Sequence, residues 1–432
     1  MSENQELSAQ VNTPIQSKKR MLQGLVIGPG IIYVLGEMGA GDLINASISG
    51  ASYGYSLMWV LALSLIIRYV IVNIISRYQL CNPEGITIIS AFNQLHRFFP
   101  IFIGIYALIM GHLYTSYMIS GSGETLAWLF GVNYPFLWSV IVVLSSLFVI
   151  GKNVFNTIEN IMKGLLVIMT LTFIGLAIWS TPSVTGIIKG TIGFDIPEDV
   201  GLYGASLIAI SLIGAVGGSV TNFLYPYYMK EKGWIKPDHK KMQRNDLIFA
   251  TFMSIVIVLA IWVVGAEILG PNNIVVSELE DISMALSLHF GYLGSFMFYI
   301  GVFAILYSSV IAFANGLPKI AIDALHQVKP ERREKYGEKF ENDPLFKWFC
   351  LFILVTPIFW SIPGGPGMVT MVVFVNFIGA IGLPIIAVGV LVLSNQKKLG
   401  KFRNNWFENV LLVGTTILSI WIAIKAVIDT FA

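Results

Sequence analysis

Two acids frame a run of glycines early in the chain, in the stretch GEMGAGD at residues 36–42, where Glu37 and Asp42 flank Gly39 and Gly41. The stretch lies inside a long apolar segment, residues 24–54. Glycine costs about 1 kcal/mol against alanine in a helix interior, and a carboxylate at bilayer depth costs at least ~2.5 kcal/mol. A segment carrying both penalties reads as a broken helix, whose freed carbonyls and acid face a polar cavity. Such breaks mark the substrate site of many secondary transporters.

The same interruption recurs in residues 211–228, SLIGAVGGSVTNFLYPYY. Gly214, Gly217 and Gly218 weaken this helix, and Ser219, Thr221 and Asn222 bring hydroxyls and an amide to the same level. Further polar groups sit in other apolar runs. His112 and Glu124 are twelve residues apart, about 18 Å along a continuous helix, too far to touch readily. His112 could titrate in a relay or be a satisfied core histidine. Glu37 is a second ligand, a coupling-ion site or a vestibule residue. Arg68, inside another apolar run, is expected to pair with an acid or to snorkel. Tyr33, Tyr53, Tyr225, Tyr227 and Tyr228 lie near the breaks, as belt or packing residues or as a cation–π wall.

The elements that hold these residues follow from composition. Of 432 residues, 55% are hydrophobic and 12% charged, against about 25% charged in a soluble chain. A span needs about 20 apolar residues, which gives eleven: 24–54 (broken), 56–78, 98–129, 134–151, 157–180, 202–229 (broken), 247–270, 289–316, 346–362, 367–394 and 406–430. Lys and Arg concentrate in the tail and in alternate connections, so the positive-inside rule puts the N-terminus in the cytoplasm and the C-terminus outside. The segment at 317–345, mixed in sign, reads as a solvated, partly helical connector. The breaks fall in the first helix of each of two five-helix units, and an odd number of spans inserts the units with opposite orientation. The organisation is therefore a cytoplasmic tail 1–23, a first repeat 24–180, an inverted second repeat 202–394 and an eleventh helix 406–430.

The residues resemble a known family. GPGIIYVLGEMGAGDLINASISGASYGYSLMWVLALS (28–64), FNTIENIMKGLLVIM (155–169), LIGAVGG (212–218), GVFAILYSS (301–309) and NFIGAIGLPIIAV (376–388) are similar to the NRAMP, or natural resistance-associated macrophage protein, family. The resemblance implies proton-coupled transport of divalent transition metals on an all-α, LeuT-like 5+5 inverted repeat with helices 1 and 6 broken. Its motifs are altered at the site. The family's Asp-Pro-Gly-Asn falls on Gly39, Ala40, Gly41 and Asp42. Its Met-Pro-His falls on Gly218, Ser219 and Val220. Acids that relay protons in the family's third helix fall on Thr115 and Met118, and a tenth-helix Gln falls on Asn376.

The soft thioether is thus gone, and the remaining donors are oxygen, which suits hard cations. The expected substrate site comprises Asp42, the backbone near Gly39 and Ala215, and Gly218, Ser219, Thr221 and Asn376. Asp42 and Asn376 are the expected metal ligands, and Glu37, His112 and Glu124 the coupling or vestibule candidates. The expected function is secondary-active or facilitative transport of Mg²⁺ or Mn²⁺ rather than Fe²⁺ by alternating access, without dependable proton coupling. The alternative is an organic or other non-metal solute, for example a quaternary ammonium compound. No phosphate-cradling loop or zinc-spaced cluster occurs, so neither ATP hydrolysis nor other enzyme chemistry is expected. The expected partners are the lipid bilayer and a small cation or solute. No nucleic acid and no cofactor beyond the transported cation are expected, and the protein is expected to be a monomer in the cell membrane.

Overall fold

Lipid offers no hydrogen bonds to a backbone, so apolar runs of this length must satisfy their amides internally. The computed structural model describes residues 40–149, 154–199, 202–217 and 220–431, and among these residues all secondary structure is helical. Sixteen α-helices follow in order: α1 Ala40–Tyr53, α2 Met58–Cys81, α3 Ile88–Leu95, α4 Phe98–Phe130, α5 Pro135–Val149, α6 Val154–Trp179, α7 Val184–Ile192, α8 Ala205–Val216, α9 Leu224–Glu231, α10 Lys240–Val264, α11 Leu279–Val328, α12 Pro330–Tyr336, α13 Pro344–Val355, α14 Met368–Ile381, α15 Leu383–Ser394 and α16 Trp406–Phe431.

Among the described residues every expected span overlaps helix, the sixth and tenth as two α-helices each. Seven are long and apolar enough to cross a membrane among the described residues, and α5 and residues 406–418 of α16 form shorter apolar helices. The first span is described from Ala40 onward, so Glu37 and Gly39 lie outside the described residues. The outward faces carry isolated large apolar side chains throughout, among them Ile105, Phe148, Leu171 and Phe252. A surface so uniformly apolar fits a hydrocarbon solvent and not water.

Two packed groups emerge. Helices α4, α5, α11 and α13 contact one another, while α1 packs on α8 and α10, and α2 packs on the same two helices. Helix α14 touches both groups through α8, α1 and α4. Its contact with α8 is a backbone contact: a Cβ on Gly214 would lie 1.8 Å from the Asn376 carbonyl oxygen. Gly214 therefore serves close approach and not helix breaking. Helix α8 runs through it to Val216 and is capped by Gly217, and the next described element is the 3₁₀ turn Val220–Phe223. The interruption of the sixth span therefore lies past Gly214, after Val216.

Polar pairs separate to the two ends of the bundle. Beyond the C-terminal end of α2, Lys398 meets Glu84 at 2.9 Å; Lys319 meets Glu231 at 2.6 Å. Before the N-terminal end of α2, Tyr55 donates to Glu267 at 2.8 Å. One expectation is corrected here. The start of the 317–345 connector is not solvated, because α11 continues to Val328 with Leu317, Ile320, Ala321 and Asp323 buried. Only the charged stretch around α12 faces water.

Candidate transport site

A helix leaves its last four carbonyls without intrahelical partners, and α8 ends abruptly at Val216. The Ala215 carbonyl is one of these. It accepts a hydrogen bond of 2.7 Å from Nη2 of Arg68, at the middle of α2. Nη1 of the same guanidinium lies 3.8 Å from Oδ2 of Asp42, in the first turn described of α1. Asp42 and Arg68 are 2% and 5% exposed, so the pair is shut off from bulk water. Neither Asp42 oxygen has a hydrogen-bond partner among the described residues. The carboxylate meets a counter-charge, but no hydrogen bond from a described residue fixes its lone pairs.

The surroundings orient this arrangement. Asn45, one turn after Gly41, donates to the Gly41 carbonyl at 2.9 Å and accepts from Ser211 of α8 at 2.7 Å. Asn222 donates to the Gly217 carbonyl at 3.3 Å and so satisfies one acceptor freed at the break. On α14, Asn376 is 1% exposed and its Nδ2 has no partner among the described residues. That nitrogen lies 2.9 Å from where a Cβ on Gly41 would be, so the amide sits against the same turn as Asp42. Three helices thus bring a carboxylate, a helix-end carbonyl and an unsatisfied amide together, with a guanidinium among them.

The structure brings Asp42, Ala215 and Asn376 into one neighbourhood, and Thr221 is buried in the 3₁₀ turn just past the break. Gly218 and Ser219 lie outside the described residues. His112 and Glu124 belong elsewhere. The His112 Nε2 accepts from Trp360 Nε1 at 2.9 Å, so this nitrogen is unprotonated. Its Nδ1 is 2.8 Å from Thr356 Oγ1. That hydroxyl donates to the Phe352 carbonyl, so the imidazole is the neutral Nδ1–H form. Thr115 likewise donates to the Gly111 and Ile353 carbonyls, and Met118 is buried. Glu124 accepts from Ser120 at 3.3 Å and lines a separate cavity of about 880 Å³ with Glu278, Glu280, Trp128 and Tyr299.

Three of the tyrosines near the two breaks have hydroxyl partners. Tyr53 donates to the Tyr203 carbonyl, Tyr225 to Asp246 and Tyr227 to Asp323, which ties them to packing. Tyr33 lies outside the described residues. The sequence marks Arg68 as a residue needing an acid but does not place it in the site. The available signal was depth: Arg68 is central in its span, as Asp42 is in the 24–54 segment.

Comparison with known proteins places this geometry. The family model described as natural resistance-associated macrophage protein-like matches residues 30–429. The divalent metal cation transporter MntH of Bacillus subtilis (strain 168) is 22% identical over 449 residues, covering 99% of each chain. MntH of Staphylococcus aureus (strain bovine RF122 / ET3-1) is 24% identical over 294 residues, 65% of this chain and 63% of that one. Among solved structures, a mutant of the Eremococcus coleocola manganese transporter superposes with a TM-score of 0.72 at 16% identity, covering 97% of this chain and 89% of that one. Mhp1, a nucleobase-cation-symport-1 family transporter, follows at 0.55 and 14%, covering 92% and 93%. At these identities the superpositions establish the shared LeuT-like fold.

Proposed function

Because the chain belongs to the natural resistance-associated macrophage protein family, whose members are transporters and not enzymes, we propose that it carries a hard divalent cation, Mn²⁺ or Mg²⁺, by alternating access. The observation that carries this reading is the Asp42 carboxylate. It is buried, without hydrogen-bond partners among the described residues, and beside the helix-end carbonyl of Ala215 and the amide of Asn376. A desolvated carboxylate with open lone pairs is costly unless a cation completes it. Oxygen donors of this kind suit hard ions, and Mg²⁺ in particular is commonly held by one or two carboxylates with its waters retained. The curated relatives named as divalent metal cation transporters support the same class.

Movement follows from the packing. The group α1, α2, α8 and α10 rocks against α4, α5, α11 and α13, and the seat lies where the first group meets α14. Coupling to protons finds no support at Thr115 and Met118, which are not acids, or at His112, which is held neutral between Trp360 and Thr356. The proposed transport is therefore uniport.

The test is uptake into proteoliposomes. Wild-type protein takes up Mn²⁺, and Asp42→Ala and Asp42→Asn abolish uptake while remaining monodisperse in detergent. Undiminished uptake by either variant removes Asp42 from the site. A pH-sensitive dye in the lumen stays constant during uptake if transport is uniport, and stoichiometric acidification contradicts it.

One observation favours a second reading. Arg68 balances the charge of Asp42, and a seat without net charge suits a neutral or zwitterionic organic solute. Calorimetric titration separates the two: absence of Mn²⁺ and Mg²⁺ binding at millimolar concentration moves the assignment to the organic solute.

A further inference from the structure

A guanidinium in the middle of a membrane-spanning helix is expensive, and such residues are normally paired and functional. Arg68 spends its two terminal nitrogens on an unusual pair of targets. One is the carbonyl of Ala215, freed by the end of α8, at 2.7 Å. The other is the Asp42 carboxylate, at 3.8 Å, which is an electrostatic contact and not a hydrogen bond. These are two of the oxygens assigned above to the transported ion. The guanidinium therefore stands where a bound cation would have to stand, and its hold on the acid is loose.

We propose that Arg68 is a tethered cation that occupies the substrate seat of the empty carrier. It withdraws from Asp42 and the Ala215 carbonyl when the ion enters, and so sets the site's affinity for cations. The inference rests on the reading that Asp42 and Ala215 receive the substrate. Two physical arguments carry it. First, a dication and a guanidinium cannot share one carboxylate in a poorly solvated site without strong repulsion, so binding must be an exchange. Second, an alternating-access carrier has to reorient empty, and an unpaired carboxylate would make that step costly. Arg68 neutralises the acid without drawing on any co-transported ion. Because the carboxylate accepts no hydrogen bond among the described residues, the arginine leaves Asp42 by giving up charge alone, while at Ala215 it gives up a hydrogen bond to a carbonyl that the entering ion can take over.

The experiment compares full-length wild-type protein, Arg68→Gln and Arg68→Lys by calorimetric Mn²⁺ titration in detergent and by Mn²⁺ uptake into proteoliposomes. Arg68→Gln removes the competing charge and tightens Mn²⁺ binding at least about tenfold. Arg68→Lys keeps the charge and stays within about threefold of wild type, a rescue that a purely structural role would not produce. If wild-type protein binds Mn²⁺ and folded Arg68→Gln binds it equally or more weakly, the inference falls while the cation assignment stands. If wild-type protein neither binds nor transports Mn²⁺ but Arg68→Gln gains binding, the cation assignment falls and the tethered-cation role stands. If neither protein binds, both fall. Should Arg68→Gln fail to fold, ¹⁵N NMR of the wild-type guanidinium, assigned with Arg68→Lys, reads the same exchange. Saturating Mg²⁺ shifts the Arg68 resonance. An unmoved resonance, whether Mg²⁺ binds elsewhere or not at all, overturns the proposal.

Discussion

Helix α2 carries two buried arginines, Arg68 and Arg77, and each faces an acid from another helix. Arg77 is fully engaged. It meets Glu408 of α16 through two hydrogen bonds of 2.6 and 3.0 Å, and Asn404 through a third of 2.6 Å. Glu408 also accepts from the Asn405 amide while Asn405 accepts from the Glu408 amide, a capping box that starts α16. Arg68 meets Asp42 at 3.8 Å, and the acid accepts no hydrogen bond among the described residues. The same residue type in the same helix thus makes a lock at one depth and a loose charge contact at another. Lone-pair satisfaction separates the two: a pair whose hydrogen bonds are complete resists exchange, and a pair held by charge alone can trade its partner.

The largest effect that tests this contrast is on stability. Glu408→Gln breaks a bidentate, charge-assisted pair and leaves Arg77 under-compensated, at a cost of about 2–3 kcal/mol. Asp42→Asn removes an acid that accepts no hydrogen bond among the described residues, and Arg68 keeps the Ala215 carbonyl. It therefore lowers stability less than half as much while abolishing uptake. Thermal unfolding in detergent, paired with proteoliposome uptake, reads both. Equal destabilisation by the two substitutions would show that the Asp42–Arg68 contact is itself a lock.

A smaller effect sharpens the seat's side of the contrast. An alanine Cβ at Gly41 would lie 2.9 Å from Asn376 Nδ2, the end of a side chain that can turn. Gly41→Ala therefore displaces the amide and not the backbone. The expected outcome is a fall in Mn²⁺ affinity of about three- to tenfold, roughly the value of one hydrogen bond, with the unfolding temperature nearly unchanged. Calorimetric titration checks it, and unchanged affinity would take Asn376 out of the ligand set.

The cost of individual residues was visible in the sequence, but their partnerships were not. Asp42 and Arg68 each stand out in an apolar run because a charge at that depth needs compensation. That each compensates the other depends on how α1 crosses α2, which no local pattern encodes. The pattern Asn405-x-x-Glu408 shows the opposite case, since a capping box is local and readable in principle. Gly214 misleads for a related reason. Within a helix a glycine either weakens the backbone or admits a neighbour, and only the contact with Asn376 decides for the second. The mixed signs of 317–345 read as a solvated, partly helical connector, but α11 runs on to Val328 and buries Leu317, Ile320, Ala321 and Asp323. The tyrosines were legible as packing or as ligands. Their hydroxyl partners at Tyr203, Asp246 and Asp323 tie Tyr53, Tyr225 and Tyr227 to packing.

A third acid extends the contrast to pH, with the smallest effect. Asp343 caps α13 and accepts from the Leu345 amide at 2.9 Å, from Arg332 at 2.6 and 3.0 Å, and contacts His326 Nε2 at 3.0 Å. Burial pushes its carboxyl up, but Arg332, the Leu345 amide and His326 together outweigh that and hold it at about 2. The unfolded carboxyl titrates near about 3.9. A group depressed in the folded state stabilises fully above the unfolded value, and its contribution disappears as pH falls through about 2. Because Arg332 is partly exposed to solvent, the contribution at neutral pH is about 1–2 kcal/mol. Residues 329–345 should therefore exchange amide hydrogens faster at pH 2.5 than at pH 5, after correction for intrinsic rates. Asp343→Asn should remove most of that difference, since it already lacks the charge at pH 5. A step of full size in the variant would mean that the opening comes from other carboxylates, and Asp343 would then not belong with Glu408 among the satisfied locks.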